Sequence, residues 1–450
     1  MRRRWVVLGL SAAGLAAVVS VEQTPGGPNR VVSLRPAADQ RGPTWSEPIE
    51  VAAGPARVGD WRQNDSEFHY VDDPTVAVGF GGVVAVAWVD QSRRDVFFQI
   101  YDRSGRAVHD SPVNVSRDAG VFSWLPRIAL SPGDPTMVYV AWQELIFSGG
   151  SHGGDLFFAR STDGGRKFDS PLNLSQSIAG DGKGRISAAI WDNGSLDIVA
   201  GPGGEIHVAW TEYEGALWYR RSTDRGGTFT EPELVAGDRT APARAPSLAV
   251  GPDGTVHLAW TVREGGPPGI RIATSRDGGT SFEAPAIVGG SVGRADAPKL
   301  AVDREATVHL VYADAVDPTE PRSHIAYARR GASAEAFDPP RPIPGTEDAS
   351  AGFPSLDVDD ETGVYVLWER SPTIVGRALG LGFARSVDAG RTFSPPSVVP
   401  ATAELWLGVN GSRQGGLMRK LAVADDGTVA VVNSSFREGA ISRVRLIVGR

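Results

Sequence analysis

The sequence predicts an all-β fold, a seven-bladed β-propeller whose four-stranded antiparallel blades are closed into a ring by the N-terminal strand. Three observations predict it. First, the pattern Ser-x-Asp-x-Gly-x-x-Phe stands four times in the chain, at Ser161, Asp163, Gly165 and Phe168, then at Ser222, Asp224, Gly226 and Phe229. It returns at Ser275, Asp277, Gly279 and Phe282, and at Ser386, Asp388, Gly390 and Phe393. Second, the octets sit inside repeats of about 50 residues, the mark of a repeat architecture. Each repeat offers four short apolar runs between turn residues, the strand count of a propeller blade. Third, the last repeat has only three such runs, and residues 45–51 supply a match to the missing fourth.

Taken in order, the first repeat places strands at 74–78, 84–88, 96–101 and 112–115. Its third turn keeps Gly105 but has Tyr101 and Arg103 where the octet has Ser and Asp. The second repeat uses 126–130, 138–142, 156–160 and 171–174, and the third 196–200, 206–210, 217–220 and 232–235. The fourth is the most regular, with 246–250, 256–260, 270–274 and 285–288. The fifth runs from 298 to 342 and has lost the octet before Phe337; the sixth uses 354–358, 364–368, 381–385 and 395–399. The seventh supplies 421–423, 429–433 and 444–448. In residues 45–51, Trp45 stands for the octet phenylalanine and Pro48 for the proline three places on. That match predicts pairing of 45–51 with 444–448, which hides the edges an open ring would expose. Six blades, with the first or last repeat as a partial blade, is the alternative.

Composition agrees with this plan and excludes several functions. The 55 glycines and 32 prolines suit a chain of many tight turns. A formal charge of −8 argues against nucleic acid or an anionic membrane surface as partner. There is no cysteine, hence no disulfide framework, thiolate metal site or thiol nucleophile. Arg2, Arg3 and Arg4 precede an apolar run over 5–19 that ends in small residues, the layout of a secretory signal. The expected organisation is a signal or N-terminal anchor over 1–21, a lead-in over 22–43 and a single propeller domain over 44–450. The protein is expected to be exported, secreted or periplasmic, and monomeric. Any membrane contact would run through an uncleaved N-terminal segment.

The octet is turn chemistry. An Asp carboxylate accepts N–H groups just ahead of it, the glycine supplies positive φ, and the aromatic anchors the loop. In these residues the sequence resembles the sialidase-like (BNR/Asp-box) β-propellers, over nearly the whole of 44–450. The octets are therefore read as structural, not as metal loops or catalytic acids.

In a four-stranded blade the innermost strand begins on one face, called upper here, and the loop after the second strand returns to it. The octets lie on the lower face. Just after the second strands stand Asp90, Glu144, Glu212, Asp314 and Glu369, and the loops leading into the innermost strands bring Asp72, Asp73 and Arg244. These form the expected ligand-binding face. His207, His257 and His309 recur at one strand position on three blades and are read as packing, since a metal needs its ligands in one place. No metal and no cofactor is expected, and no phosphate-binding glycine loop, nucleophile elbow or His-Glu-x-x-His helix is present.

The resemblance implies a further set. Sialidases hold the substrate carboxylate with three arginines, one from an Arg-Ile-Pro motif, and use a tyrosine nucleophile beside a glutamate with an aspartic acid/base. Arg244 matches the register of the motif arginine, in Arg244-Ala245-Pro246. Tyr213 beside Glu212 is the first tyrosine–glutamate candidate and Tyr70 the second. The first repeat opens Asp72-Asp73-Pro74 without an arginine, and sialidases resemble six-bladed rings. The function read from the sequence is thus a binding or recognition module for a glycan or an extracytoplasmic protein. An exo-sialidase-like glycoside hydrolase and an assembly scaffold are the alternatives.

Overall fold

Seven sheets follow one another along the chain, each ordered from an innermost strand outwards. The computed structural model of the protein describes residues 42–60, 67–117, 120–144, 155–176, 196–212, 215–289, 295–315, 322–373, 379–403, 409–410, 418–437 and 439–450. The expected signal and lead-in, apart from Gly42 and Pro43, lie outside them. Blade one runs Val71–Val78, Val84–Asp90, Asp95–Tyr101, Val113–Asn114, and the next five repeat that order up to Ser397–Val398. Gly42–Arg450 is one compact unit. The seven-bladed architecture expected from the repeats is the one observed.

Blade seven is built from both ends of this unit. Leu421–Val423, Val429–Arg437 and Ile441–Gly449 supply three strands, and Ile49–Pro55 adds the fourth, antiparallel to Ile441–Gly449. Ile49 lies opposite Leu446 and Trp45 opposite Gly449. The short Val409–Asn410 also pairs with Val429–Arg437, next to its far end. The predicted closure is therefore the one found.

The core is not central; it consists of seven apolar seams, one between each pair of neighbouring blades. This explains why second strands such as Val256–Val262 read as continuous apolar runs, since both of their faces are covered. Trp88, Trp142, Trp210, Trp260, Tyr312 and Trp368 are all buried in these seams.

The octets stitch the seams on the lower face. Ser161 Oγ donates to Asp163 Oδ1 over 2.7 Å and accepts the Gly165 N–H, and Asp163 Oδ1 accepts the Lys167 N–H. The same three bonds recur around Asp224, Asp277 and Asp388. Hydrogen bonds from Thr228 and Ser222 hold Asp224 well below the usual carboxylate range, and those from Ser281 and Ser275 do so for Asp277. Each octet phenylalanine then meets a ring of the preceding blade edge-on. Phe168 lies 5.3 Å from Phe98, Phe229 4.9 Å from Phe158, Phe282 5.0 Å from Tyr219 and Phe393 4.9 Å from Tyr327. Such pairs add about 1 kcal/mol each beyond their buried area. Trp45 completes the series against Phe383, at 5.2 Å and 84°.

Glycine is required where the octet touches its neighbour. At Gly390, with φ +75°, a Cβ would stand 1.7 Å from Tyr327 Oη. The first repeat, whose turn departs from the octet, still closes on an aspartate: Asp102, one place earlier, accepts the Ser104 and Arg106 N–H groups.

Candidate functional site

Five innermost strands begin with the same irregularity. Asp73, Leu125, Ala245, Ala297 and Phe353 each precede a proline and each have φ between +48° and +54°. An α-helical backbone before proline is sterically disfavoured, and here the residue takes the left-handed region, where L side chains are uncommon. Each forms a bulge of one extra residue, seen as register shifts such as that between Asp72 and Thr75. Bulges re-aim the side chains around them. Here they do so near the start of the innermost strands, on the upper face.

The residue after each proline, and its equivalent in the other two blades, is buried beside the axis. These are Thr75, Arg127, Asp197, Ser247, Lys299, Ser355 and Lys420, one per blade. Several bind the next blade directly: Asp197 Oδ2 accepts the Leu248 N–H, Ser247 Oγ that of Leu300, and Ser355 Oγ that of Lys420. A charged group converges here from distant blades. Arg419 Nη2 lies 3.0 Å from Asp197 Oδ1, joining blade seven to blade three. Burial pushes the Arg127 guanidinium down to about 10, with Asp197 and Asp73 opposing and Arg419 reinforcing that shift. Burial pushes the Lys299 ammonium down to about 7, against Asp197 and with Arg127 and Arg419. Burial thus makes the Lys299 ammonium easier to deprotonate than an exposed one. Lys420, also buried, pairs with Glu369 Oε1.

The residues expected on the ligand face lie in separate settings. Asp72 and Asp73 are buried at the first bulge. Asp90 closes a turn, accepting the Ser92 N–H at 3.0 Å and the Ser92 hydroxyl at 2.6 Å. Glu144 is buried and accepts the Trp142 indole N–H at 3.0 Å, and burial pushes its carboxyl up. Glu212 directly follows the second strand of blade three, Ile206–Thr211, and bonds through its backbone to Ala216 and Gly215. Asp314 is half-buried and its carboxyl is pushed up by burial. Glu369 serves Lys420. Among the described residues no group of three or more histidines, aspartates or glutamates is placed to hold a metal ion.

The residues suggested by the sialidase resemblance do not converge among the described residues. Arg244 is buried and ion-paired with Glu264 at 2.9 Å, and Arg263 pairs with Asp296. Tyr70 is buried, packs edge-on against Phe436 at 5.4 Å, and its phenol is pushed far up by burial and by Asp72 and Asp73. Those neighbours oppose a phenolate. Tyr213 lies outside the described residues. The charged group at the axis was missed by sequence reasoning; its signals are the variable second position of Pro-x-Leu-Ala-Val and, for Arg419, a cation in place of the proline.

The three repeated histidines are packed within the seams. His207 Nδ1 lies 2.5 Å from Tyr219 Oη, His257 Nδ1 3.0 Å from Thr274 Oγ1, and His309 2.8 Å from Tyr327 Oη and 3.1 Å from Asp303 Oδ2. Burial pushes His207 and His257 down to about 4. The folded protein keeps both neutral while the unfolded chain takes up protons below its own value of about 6.5. Stability from these two groups is therefore complete above about pH 6.5 and lost as pH falls toward 4, by about 1.4 kcal/mol per unit for each. Asp357, which burial raises to about 6, acts in the opposite direction below that pH. We predict that the difference in urea-unfolding free energy between pH 7 and pH 5 shrinks in the variant His207→Gln/His257→Gln. An unchanged difference would show that these histidines do not set the acid sensitivity.

No protein-family profile and no curated protein sequence matches the chain. Solved structures do resemble it. A polysaccharide lyase of family PL25, an ulvan lyase, aligns with a TM-score of 0.56 at 11% identity, covering 88% of this chain and 95% of its own. The polysaccharide lyase Uly1 aligns with a TM-score of 0.52 at 11% identity, covering 90% and 99%. The Hadza microbial sialidase Hz136 aligns with a TM-score of 0.45 at 15% identity, covering 80% and 73%. At these identities the likeness is one of fold.

Proposed function

We propose that this propeller is an exported recognition module that binds an acidic glycan at the upper mouth of its channel. The observation that carries the reading is the convergence of Arg127, Asp197, Lys299 and Arg419, from four blades, beside one axis. Cationic donors in a water-poor setting suit the carboxylate of a uronic acid, where charge-assisted bonds are stronger than neutral ones. A PL25 ulvan lyase of the same fold is described as bound to -[GlcA(1-4)Rha3S]-, a chain with such a carboxylate. Binding is favoured over sialoside hydrolysis because Tyr70 is held as a protonated phenol and Arg244 and Arg263 pair one-to-one with separate carboxylates, whereas at the axis three basic groups, Arg127, Lys299 and Arg419, gather around Asp197. Residues 1–21 are the segment that would direct export.

The test is a panel of immobilised polysaccharides probed with the purified protein and with Arg419→Gln, whose side chain is 27% exposed. Retention of uronate-bearing chains by the wild type, with about tenfold weaker retention by the variant, is the expected result. If no glycan is retained, or if the variant binds equally well, the reading fails. Turnover of a fluorogenic sialoside, abolished by Arg244→Ala, would replace binding with hydrolysis.

A further inference from the structure

The lower face carries a cleft that the repeats do not explain. It opens between blades five and six, has a volume of about 180 Å³, and is lined by Arg329, Arg341, Arg391, Asp338 and Tyr327 among others. Arg341 belongs to the outermost strand of blade five, Arg341–Pro342. Its counterparts in the other blades with this strand are Ile49, Val113, Leu172, Glu233, Ala286 and Ser397, none of them cationic. The cation is thus an addition to the repeat and not part of its plan.

Each guanidinium is held in place from behind. Arg341 lies 5.5 Å from the Tyr327 ring and 6.0 Å from that of Phe393, and its Nη2 donates to the Gly390 carbonyl. Arg391 Nη1 donates to the Asp388 carbonyl at 3.0 Å. Arg329 Nη1 donates to the Ala389 carbonyl at 2.9 Å and its Nε to Asp338 Oδ2 at 3.2 Å. Among the described residues, only Arg329 of the three has a carboxylate partner. Three positive charges therefore face one negative charge. A guanidinium has five N–H donors in a planar fork, and the anchoring carbonyls take one from each. On Arg341 and Arg391 the remaining donors are oriented without a carboxylate partner, while Arg329 also gives its Nε–H to Asp338.

We propose that this cleft is a second ligand site, taking an oxyanion group such as a sulfate or carboxylate on the face opposite the channel mouth. Planar guanidinium forks match such groups two bonds at a time, which a lysine does not. The site stands on its own residues and is independent of the reading of the upper face. Because Arg341 and Arg391 are exposed, its affinity falls as ionic strength rises.

Isothermal titration of the full chain with inorganic sulfate and with a sulfated hexasaccharide tests the proposal. The wild type is expected to bind at least one of the two probes, and Arg341→Gln/Arg391→Ser to bind it at least about tenfold more weakly. Arg106→Ser, an exposed arginine of the first-blade turn, should match the wild type. Tighter binding of the hexasaccharide than of sulfate means that the oxyanion arrives on a glycan, and equal binding means a free ion. Arg391→Ser alone serves if replacing Arg341 disturbs folding. Absence of binding, or equal affinity in wild type and variant, overturns the proposal.

Discussion

A chain beginning at Ala56 is expected to lose the closed ring. Residues 42–55 contribute the Ile49–Pro55 ladder, the Thr44–Arg450 backbone bonds of 2.7 and 3.1 Å, and the Trp45–Phe383 ring contact. At about 1 kcal/mol for each net backbone bond, the loss is at least about 5 kcal/mol, comparable to the whole stability of many domains. The deletion also leaves Ile441–Gly449 as a long bare edge, a template for pairing with another chain. Size-exclusion chromatography should show further association or unfolded material relative to the untruncated protein, and a synthetic peptide of residues 42–55 should restore the original elution. A truncated chain that elutes like the untruncated protein with an unchanged melting temperature would contradict the closure.

The second large effect is expected at Glu369. Its partner Lys420 is 4% exposed, and Glu369→Leu leaves that ammonium buried without the carboxylate. Removing one partner of a buried pair typically costs about 3–5 kcal/mol, whereas replacing both by apolar groups is often neutral. Urea unfolding at pH 7 should therefore show a large loss for Glu369→Leu and recovery of most of it in Glu369→Leu/Lys420→Met. If the single and double variants are equally destabilised, the pair contributes little and the site tolerates a lone lysine.

Glu369 also illustrates what the sequence conveys and what it hides. The octets were legible because their chemistry is local: a serine, an aspartate and a glycine within five residues determine the turn wherever it stands. Closure was legible for a related reason, since Trp45 and Pro48 keep the spacing of an outer strand. By contrast, Glu369 stands in sequence among carboxylates that follow second strands, and nothing nearby announces Lys420. Arg419 and Asp197 are 222 positions apart and meet because a ring brings the starts of its innermost strands toward one axis. A pattern such as Pro-x-Leu-Ala-Val locates that position but leaves its occupant free. Asp102 was hidden by a smaller displacement, a shift of one residue that breaks the pattern and preserves the turn.

The aromatic contacts between neighbouring blades bear on how the molecule comes apart. A linear array of modules frays from its two ends, each outer module having a single neighbour. A ring has no such end, so its first opening must be a tear at an interior joint. Six of the seven joints carry an edge-on aromatic pair, five at the octet position and the joint between blades seven and one through Tyr70 and Phe436. The joint between blades four and five instead packs Phe337 against the apolar cluster that includes Ile272, with Arg330 over the Phe337 ring at 5.2 Å. That joint, made where the fifth repeat gave up its octet, is where the hoop is expected to break first.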